Sequence, residues 1–333
     1  MPTARAENLY FYKLDPFIEP GGARTWYGRS QNVLVAYSRL EAGNSLAAQC
    51  EDEYFIVLVE GALDVTSRQG SATVTGPAQV IVPPGESTVT ATRDAVAVRV
   101  FSPPPADLAD RAVNHGSYAA PHANVAPHEL WPMPDDGYKL RVYQYDQLPP
   151  DARKVFRSRN IMINWAAVYA GPRDLTRLSP HKHDDFEQVS LCIAGRYMHH
   201  IRYPWESDST TWMEDDHIDI ETPSITIMPP PALHTSVAMT PGSSLIDIFG
   251  PPRMDFSLGG MVNAENAAVY PLPETGLSET MRSGENCQIE GIWQTQCPEK
   301  REVTVLKGDL FPACQEHGSV DYVLVRPGAL GAG

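Results

Sequence analysis

The sequence predicts an all-β chain built from two copies of one strand-rich unit, each a sandwich or a barrel. Proline, 30 of 333 residues, stands near twice its usual share of about 5%, and with 24 glycines it cuts the chain into short pieces. Those pieces alternate apolar and polar with period two, as in FIVLVEGALDVTS (55–67) and AVAVRVFSPPP (95–105), while helical periodicity is scarce. The pieces also recur. EYFIVLVEGALDV (53–65) aligns with EQVSLCIAGRYMH (187–199), with Gly61 and Gly195 in register. IVPPGEST (81–88) aligns with IMPPPALH (227–234), and VRVFSPPPADL (98–108) with IDIFGPPRMDF (246–256). Three matched blocks in one order define an internal repeat.

In chain order the sequence divides into five parts. Residues 1–29 form an N-terminal arm, 30–105 the first copy, and 106–155 a linker rich in Pro, Ala and polar residues with one short helix. Residues 156–256 form the second copy and 257–333 a C-terminal extension. The extension holds two alternating segments, REVTVLKGDLF (301–311) and VDYVLVRP (320–327), that suit strands added to either unit.

A formal charge of −15, with no Lys/Arg cluster against it, excludes nucleic acid and anionic membrane surfaces as expected partners. The five cysteines (Cys50, Cys192, Cys287, Cys297, Cys314) are odd in number and dispersed. They form no disulfide framework and fit a reducing compartment. No stretch has the length of a membrane span and no signal-type apolar region opens the chain, so the expected location is cytoplasmic.

PHKHDDFEQVSLCIAG (180–195) concentrates the chemistry. Side chains two apart on a strand share a face, so His181 and His183 project together. Alternation from Gln188 sets Gln188, Ser190 and Cys192 toward an interior. It sets Val189, Leu191 and Ile193 toward an outer layer, with Glu187 on that opposite face. His234, after a Pro-rich turn, is placed to reach back to them. Three imidazoles and one oxygen donor with open positions suit a divalent Fe, Mn, Ni, Zn or Co ion. The aligned positions of the first copy are Ala47, Gln49, Tyr54 and Thr88, which make no metal site. One metal per chain, in the second copy only, is the expectation.

These residues resemble the two motifs of the cupin superfamily. The first runs through Gly171, His181, His183, Gln188 and Gly195, and the second through Pro229, Pro231 and His234, with Pro231 where the family usually has Gly. The resemblance implies two jelly-roll-like cupin β-barrels, the first metal-free and serving packing, capping or formation of a homodimer. Further on, Asp247 is expected on an inner strand face and Arg253 at the barrel rim, where a guanidinium suits a substrate carboxylate. Their first-copy counterparts are Arg99 and Pro105. HxH, Gln, His and DIF-x-P-x-R together resemble the cupins that linearise unsaturated uronates in pectin and alginate breakdown.

That likeness implies acid/base work for Asp247 and carboxylate binding for Arg253. The reading is therefore a metal-dependent isomerase or lyase moving a proton on a small carboxylated, sugar-like or keto substrate. An Fe(II) dioxygenase and a non-catalytic metabolite-binding cupin are the alternatives. Arg196, His200 and Arg202 line the cavity if alternation continues past Gly195, and stand at the rim if it does not. His217 reads as solvated. Cys287, Cys297, Cys314 and His317 are spaced ten, seventeen and three apart, which matches no known zinc framework.

Overall fold

A computed structural model describes residues 4–165, 168–273, 280–287 and 289–327. The second copy is closed by two sheets. One has six strands in the order Glu7–Leu9, Ser224–Met228, Gln188–Ala194, Ser244–Phe249, Met162–Trp165 and Val155–Arg157. The other has three, Asp216–Glu221, Arg196–Arg202 and Leu233–Ala238. Cys192 and Leu245 of the first pack against Tyr197, Ile220 and Ala238 of the second, so the two sheets face one another across an interior.

The first copy uses one nine-stranded sheet whose two longest strands, Tyr54–Ser67 (14 residues) and Gly85–Phe101 (17 residues), bend across both walls. Ser45–Cys50 and Gly70–Thr75 pair with the far ends of these strands and close the barrel. Its interior is filled by apolar side chains, Leu34, Leu46, Tyr54, Ile56, Leu63, Val74 and Val89 among them. The aligned Gly61 and Gly195 both adopt positive φ, +94° and +71°, a conformation that Gly reaches without the Cβ penalty. Gly195 separates two strands, whereas Gly61 sits at a register shift inside the strand Tyr54–Ser67.

The strand Gln188–Ala194 is buried on both faces, not on one. Val189, Leu191 and Ile193 do not meet an outer layer, as alternation alone suggested. Together with Ile225, Ile227, Ile246 and Ile248 they pack against Val35, Phe55, Val57, Val98 and Val100 of the sister barrel. The reason is the repeat itself: each copy presents the same β-branched sheet face, and the two bury each other. At about 1.5–3 kcal/mol per fully buried aliphatic side chain, this shared core contributes strongly to holding the barrels together.

The arm and linker are parts of the barrels. Within the arm, Glu7–Leu9 joins the edge of the second barrel, while Phe17–Ile18 and Arg24–Arg29 extend the sheet of the first. Within the linker, beside a single-turn helix at Ala106–Ala109, the strand Arg141–Gln144 pairs with Ala78–Val82 of the first barrel. Among the described residues the tail adds no strand to either barrel, although its Tyr270 is buried in the core that the two barrels share. Thr280–Arg282, Asp321–Pro327, Gly291–Thr295 and Glu302–Val305 make their own four-stranded antiparallel sheet around Trp293, Phe311 and Tyr322. Among the described residues no helix is long and apolar enough to cross a membrane.

Candidate metal centre

His181 and His183 lie in the loop before the strand Gln188–Ala194, not on a strand as the spacing suggested. What fixes the first of them is a bridge from His181 to His234 at the start of the strand Leu233–Ala238. The His181 N–H donates to the His234 carbonyl at 3.0 Å and the His234 N–H to the His181 carbonyl at 2.8 Å. The ring centroids of the three histidines then sit 4.5–5.2 Å apart. One ligand atom from each lies within 4.8 Å of the others. His183 and His234 are buried and His181 is exposed at the mouth.

The tautomers follow from the neighbours. His181 Nδ1 is 3.0 Å from the Ser179 carbonyl and His234 Nδ1 is 3.0 Å from the Ala232 carbonyl. A carbonyl only accepts, so each Nδ1 carries the proton and each Nε2 offers a lone pair inward. Gln188 Oε1 is 2.9 Å from His183 Nε2 and 3.4 Å from His234 Nε2. Its orientation is set from behind, where Nε2 donates to Ser190 Oγ and Asp247 Oδ1, both at 3.0 Å. Apart from one proton shared between His183 and Gln188, the convergent atoms are all acceptors. Acceptors gathered without donors call for a cation.

Burial holds the His183 imidazole well below its usual range, with the Arg253 charge adding to the effect. Burial, then His181, lowers His234 to about 4. Both rings are neutral at pH 7, the form that ligates a metal.

Asp247 belongs to a row of polar side chains in register across five strands of the inner face: Asn8, Thr226, Ser190, Asp247 and Asn164. Ser190 Oγ donates to Asp247 Oδ1 at 2.6 Å and Thr226 Oγ1 to Asn8 Oδ1 at 2.8 Å. The same row in the first barrel reads Val142, Val80, Ile56, Arg99 and Ala36, apolar except where Arg99 meets the buried Glu19 at 3.3 Å. One repeat filled its interior and the other kept it polar. Burial pushes the Asp247 carboxyl above the usual carboxylate range, opposed by the Ser190 and Gln188 hydrogen bonds and the nearby Arg253 charge. It is poised to exchange a proton closer to neutrality than an exposed aspartate.

Arg253 stands at the rim with 10% of its side chain exposed, its guanidinium 3.9 Å from the Phe256 centroid and within reach of the rings of Phe249 and Phe186. Its planar fork is held by both oxygens of Asp255. Glu187 is not at the cluster. It points to the opposite face, where it accepts from the Gln31 N–H at 2.7 Å and the Tyr118 hydroxyl at 2.9 Å.

Past Gly195 the alternation inverts. Arg196 and Arg202 are exposed and paired with Asp219 and Asp215, and His200 meets the exposed His217 at 2.7 Å on the outer side. Tyr197 and His199 point inward instead. His199 was missed by sequence reasoning. It is fully buried, with Nδ1 2.7 Å from Ser236 Oγ and Nε2 without a partner, and burial beside His234 lowers it to about 3. The signal that finds it is the positive φ expected of Gly195, which resets the face count by one.

No protein-family model matches the chain, and no curated protein matches it. Among solved structures, the oxalate decarboxylase of Lactobacillus farciminis in complex with formate is similar at a TM-score of 0.51 and 14% identity. That match covers 81% of this chain and 98% of that one. A single-substitution variant of the Bacillus subtilis oxalate decarboxylase is similar at a TM-score of 0.50 and 15% identity, covering 76% and 80%. At this identity the likeness establishes the fold: an all-β chain with the two-barrel architecture of the bicupins.

Proposed function

We propose that the second barrel is the active site of a divalent-metal-dependent enzyme, with His181, His183, Gln188 and His234 as ligands. The chemistry is of the isomerase or lyase kind, moving a proton on a small carboxylated, sugar-like or keto substrate. One observation carries the reading. Asp247 is a single hydrogen bond from Gln188, on the same inner face and in a barrel whose twin has lost both the ligands and the carboxylate.

The donor set fits such an ion: neutral imidazoles with inward lone pairs and an amide oxygen locked toward them. When bound, the ion supplies Lewis-acid polarisation of a substrate oxygen. The chain supplies the rest. Asp247 Oδ1, held by Ser190 and Gln188, takes or returns a proton at the substrate carbon or hydroxyl facing the cluster. Phe186, Phe249 and Phe256 exclude water and fix the Arg253 guanidinium, which receives the carboxylate once Asp255 releases it. The oxalate decarboxylases of similar fold act on a small carboxylate, in keeping with the Arg253 assignment and with the lyase branch. The Fe(II) dioxygenase alternative is distinguished by iron dependence and O2 consumption.

The test is metal content and turnover on the same proteins. His183→Ala is expected to remove the barrel metal, and Thr88→Ala, at the corresponding place in the first barrel, to retain it. Asp247→Asn is expected to keep the metal and lose roughly 10²–10⁴-fold in turnover. Full turnover by a metal-replete Asp247→Asn protein ends the assignment.

A further inference from the structure

The tail brings together what the spacing of its cysteines disguised. Two turns meet there, each led by a cysteine. The first, Cys297-Pro298-Glu299-Lys300, closes the hairpin of Gly291–Thr295 and Glu302–Val305, with the Lys300 N–H donating to the Cys297 carbonyl at 3.0 Å and Lys300 at φ +44°. The second, Cys314 to Gly318, is closed by reciprocal backbone bonds of 2.7 and 2.8 Å, with Gly318 at φ +70°. The two sulfurs face each other at 4.0 Å. Cys297 Sγ, Cys314 Sγ and a Glu299 oxygen all lie within 4.8 Å of one another. His317 Nε2 is 2.8 Å from Glu299 Oε2.

The neighbours separate ligands from bystanders. Glu316 is taken by Arg301 at 2.7 Å. Cys287 is not part of the group, because its thiol donates to the Ile289 carbonyl at 3.0 Å. Cys314 instead receives the backbone N–H groups of Glu316 and His317. Amides folded back onto a sulfur favour the thiolate, the form that binds metal. The unit also needs a staple. A four-stranded sheet of fewer than fifty residues around Met281, Trp293, Val305, Phe311 and Tyr322 has a core of the size that small domains reinforce with a disulfide or a metal.

We propose that Cys297, Glu299, Cys314 and His317 form a second metal site in this chain, structural and built for Zn²⁺. Two thiolates, a carboxylate and an imidazole are a closed tetrahedral set with no open position for substrate. Thiolate donors select zinc over the harder Mg²⁺ and Mn²⁺. Binding releases both thiol protons. The ion then cancels two of the three negative charges. The Glu299–His317 contact opens as both groups turn to the ion. This site is independent of the barrel chemistry.

Cobalt(II) titration of the full chain under reducing conditions tests it, because thiolate-to-cobalt charge-transfer absorption reports sulfur ligands and the barrel set has none. The band is expected in the parent and, undiminished, in His183→Ala, which isolates the tail from the barrel. It is expected to vanish in Cys297→Ser/Cys314→Ser. His317→Ala, at a ring 38% exposed whose loss leaves the small core intact, is expected to weaken cobalt binding at least tenfold. A parent without the band, a double-serine variant that keeps it, or unchanged affinity in His317→Ala each overturns the site.

Discussion

At Gln188 one planar amide faces two environments, its oxygen toward imidazole nitrogens and its nitrogen toward Asp247 and Ser190. Gln188→Glu removes that polarity and sets a second carboxylate against Asp247. The expected outcome is a pH–rate profile whose acid limb moves upward, read by kinetics at fixed metal saturation. Arg253 offers a sharper test, because its fork is occupied by Asp255. Asp255→Asn frees the guanidinium and is expected to tighten binding of carboxylated ligands by about tenfold, or about 1.4 kcal/mol, without changing kcat. An unchanged Kd assigns Arg253 to the rim structure alone. His199 bears on pH. An unfolded histidine gains its proton below about 6.5, whereas the buried one waits until about 3, so stability falls on acidification through that window. His199→Asn is expected to flatten the fall by about 1.4 kcal/mol per pH unit in urea titrations. The convergence of His181, His183, Gln188 and His234, with Asp247 beside them, was legible in the sequence because the proposed metal chemistry restricts residue type and spacing. His199 and Asp255 were not, and Ser190 was legible only as an inward residue and not by its bonds to Gln188 and Asp247, since any polar residue looks the same until its partner is seen.

At the level of the strand, Gln188–Ala194 has the site on one face and the sister barrel on the other. Leu191 is fully buried in that shared core. Leu191→Ala is expected to cost about 2–5 kcal/mol, measured by chemical denaturation, while leaving metal content intact. Alternation revealed two faces but not what covered the second, because an apolar row reads alike against a helix, a layer or a twin sheet. Gly195 is the converse case. The repeat showed a glycine kept in register with Gly61, and the positive φ of both explains it. Gly195→Ala is expected to lower stability by more than the roughly 1–2 kcal/mol of backbone strain, because its Cβ would also press on Ser243 Oγ and lie 2.7 Å from Ser243 Cα. The extension was legible only as alternating segments. Its separate sheet depends on pairings between residues 280–282 and 321–327 that no local pattern encodes.

For the molecule as a whole, a core common to both barrels makes them one cooperative unit. Denaturation followed by near-UV absorbance and by loss of barrel metal is expected to give coincident midpoints. Chelation is expected to lower Tm only by the modest amount that mass action removes, with far-UV dichroism unchanged at 25 °C, since the first barrel holds its fold with an apolar interior. An apo protein that is unfolded at that temperature contradicts this. The two-barrel plan was visible in the repeat, and the confinement of the histidine cluster to the second barrel in what the first copy lacks. The crossing of the arm to the far barrel was not, because three residues pairing at a sheet edge carry no pattern long enough to read.

That crossing sets a clock on biosynthesis. Asn8 meets Thr226 across 218 residues of chain. At about 5–20 residues per second, the arm emerges on the order of ten to forty seconds before its partner strand exists. The first barrel can close meanwhile from strands at Phe17–Ile18 through Arg141–Gln144, but Glu7–Leu9 must wait, unpaired, beside a growing polypeptide. Its composition suits the wait: a tripeptide of Glu, Asn and Leu is too short and too polar to template aggregation. When Ser224–Met228 arrives, the earliest strand in the chain seals the edge of the last barrel to be made.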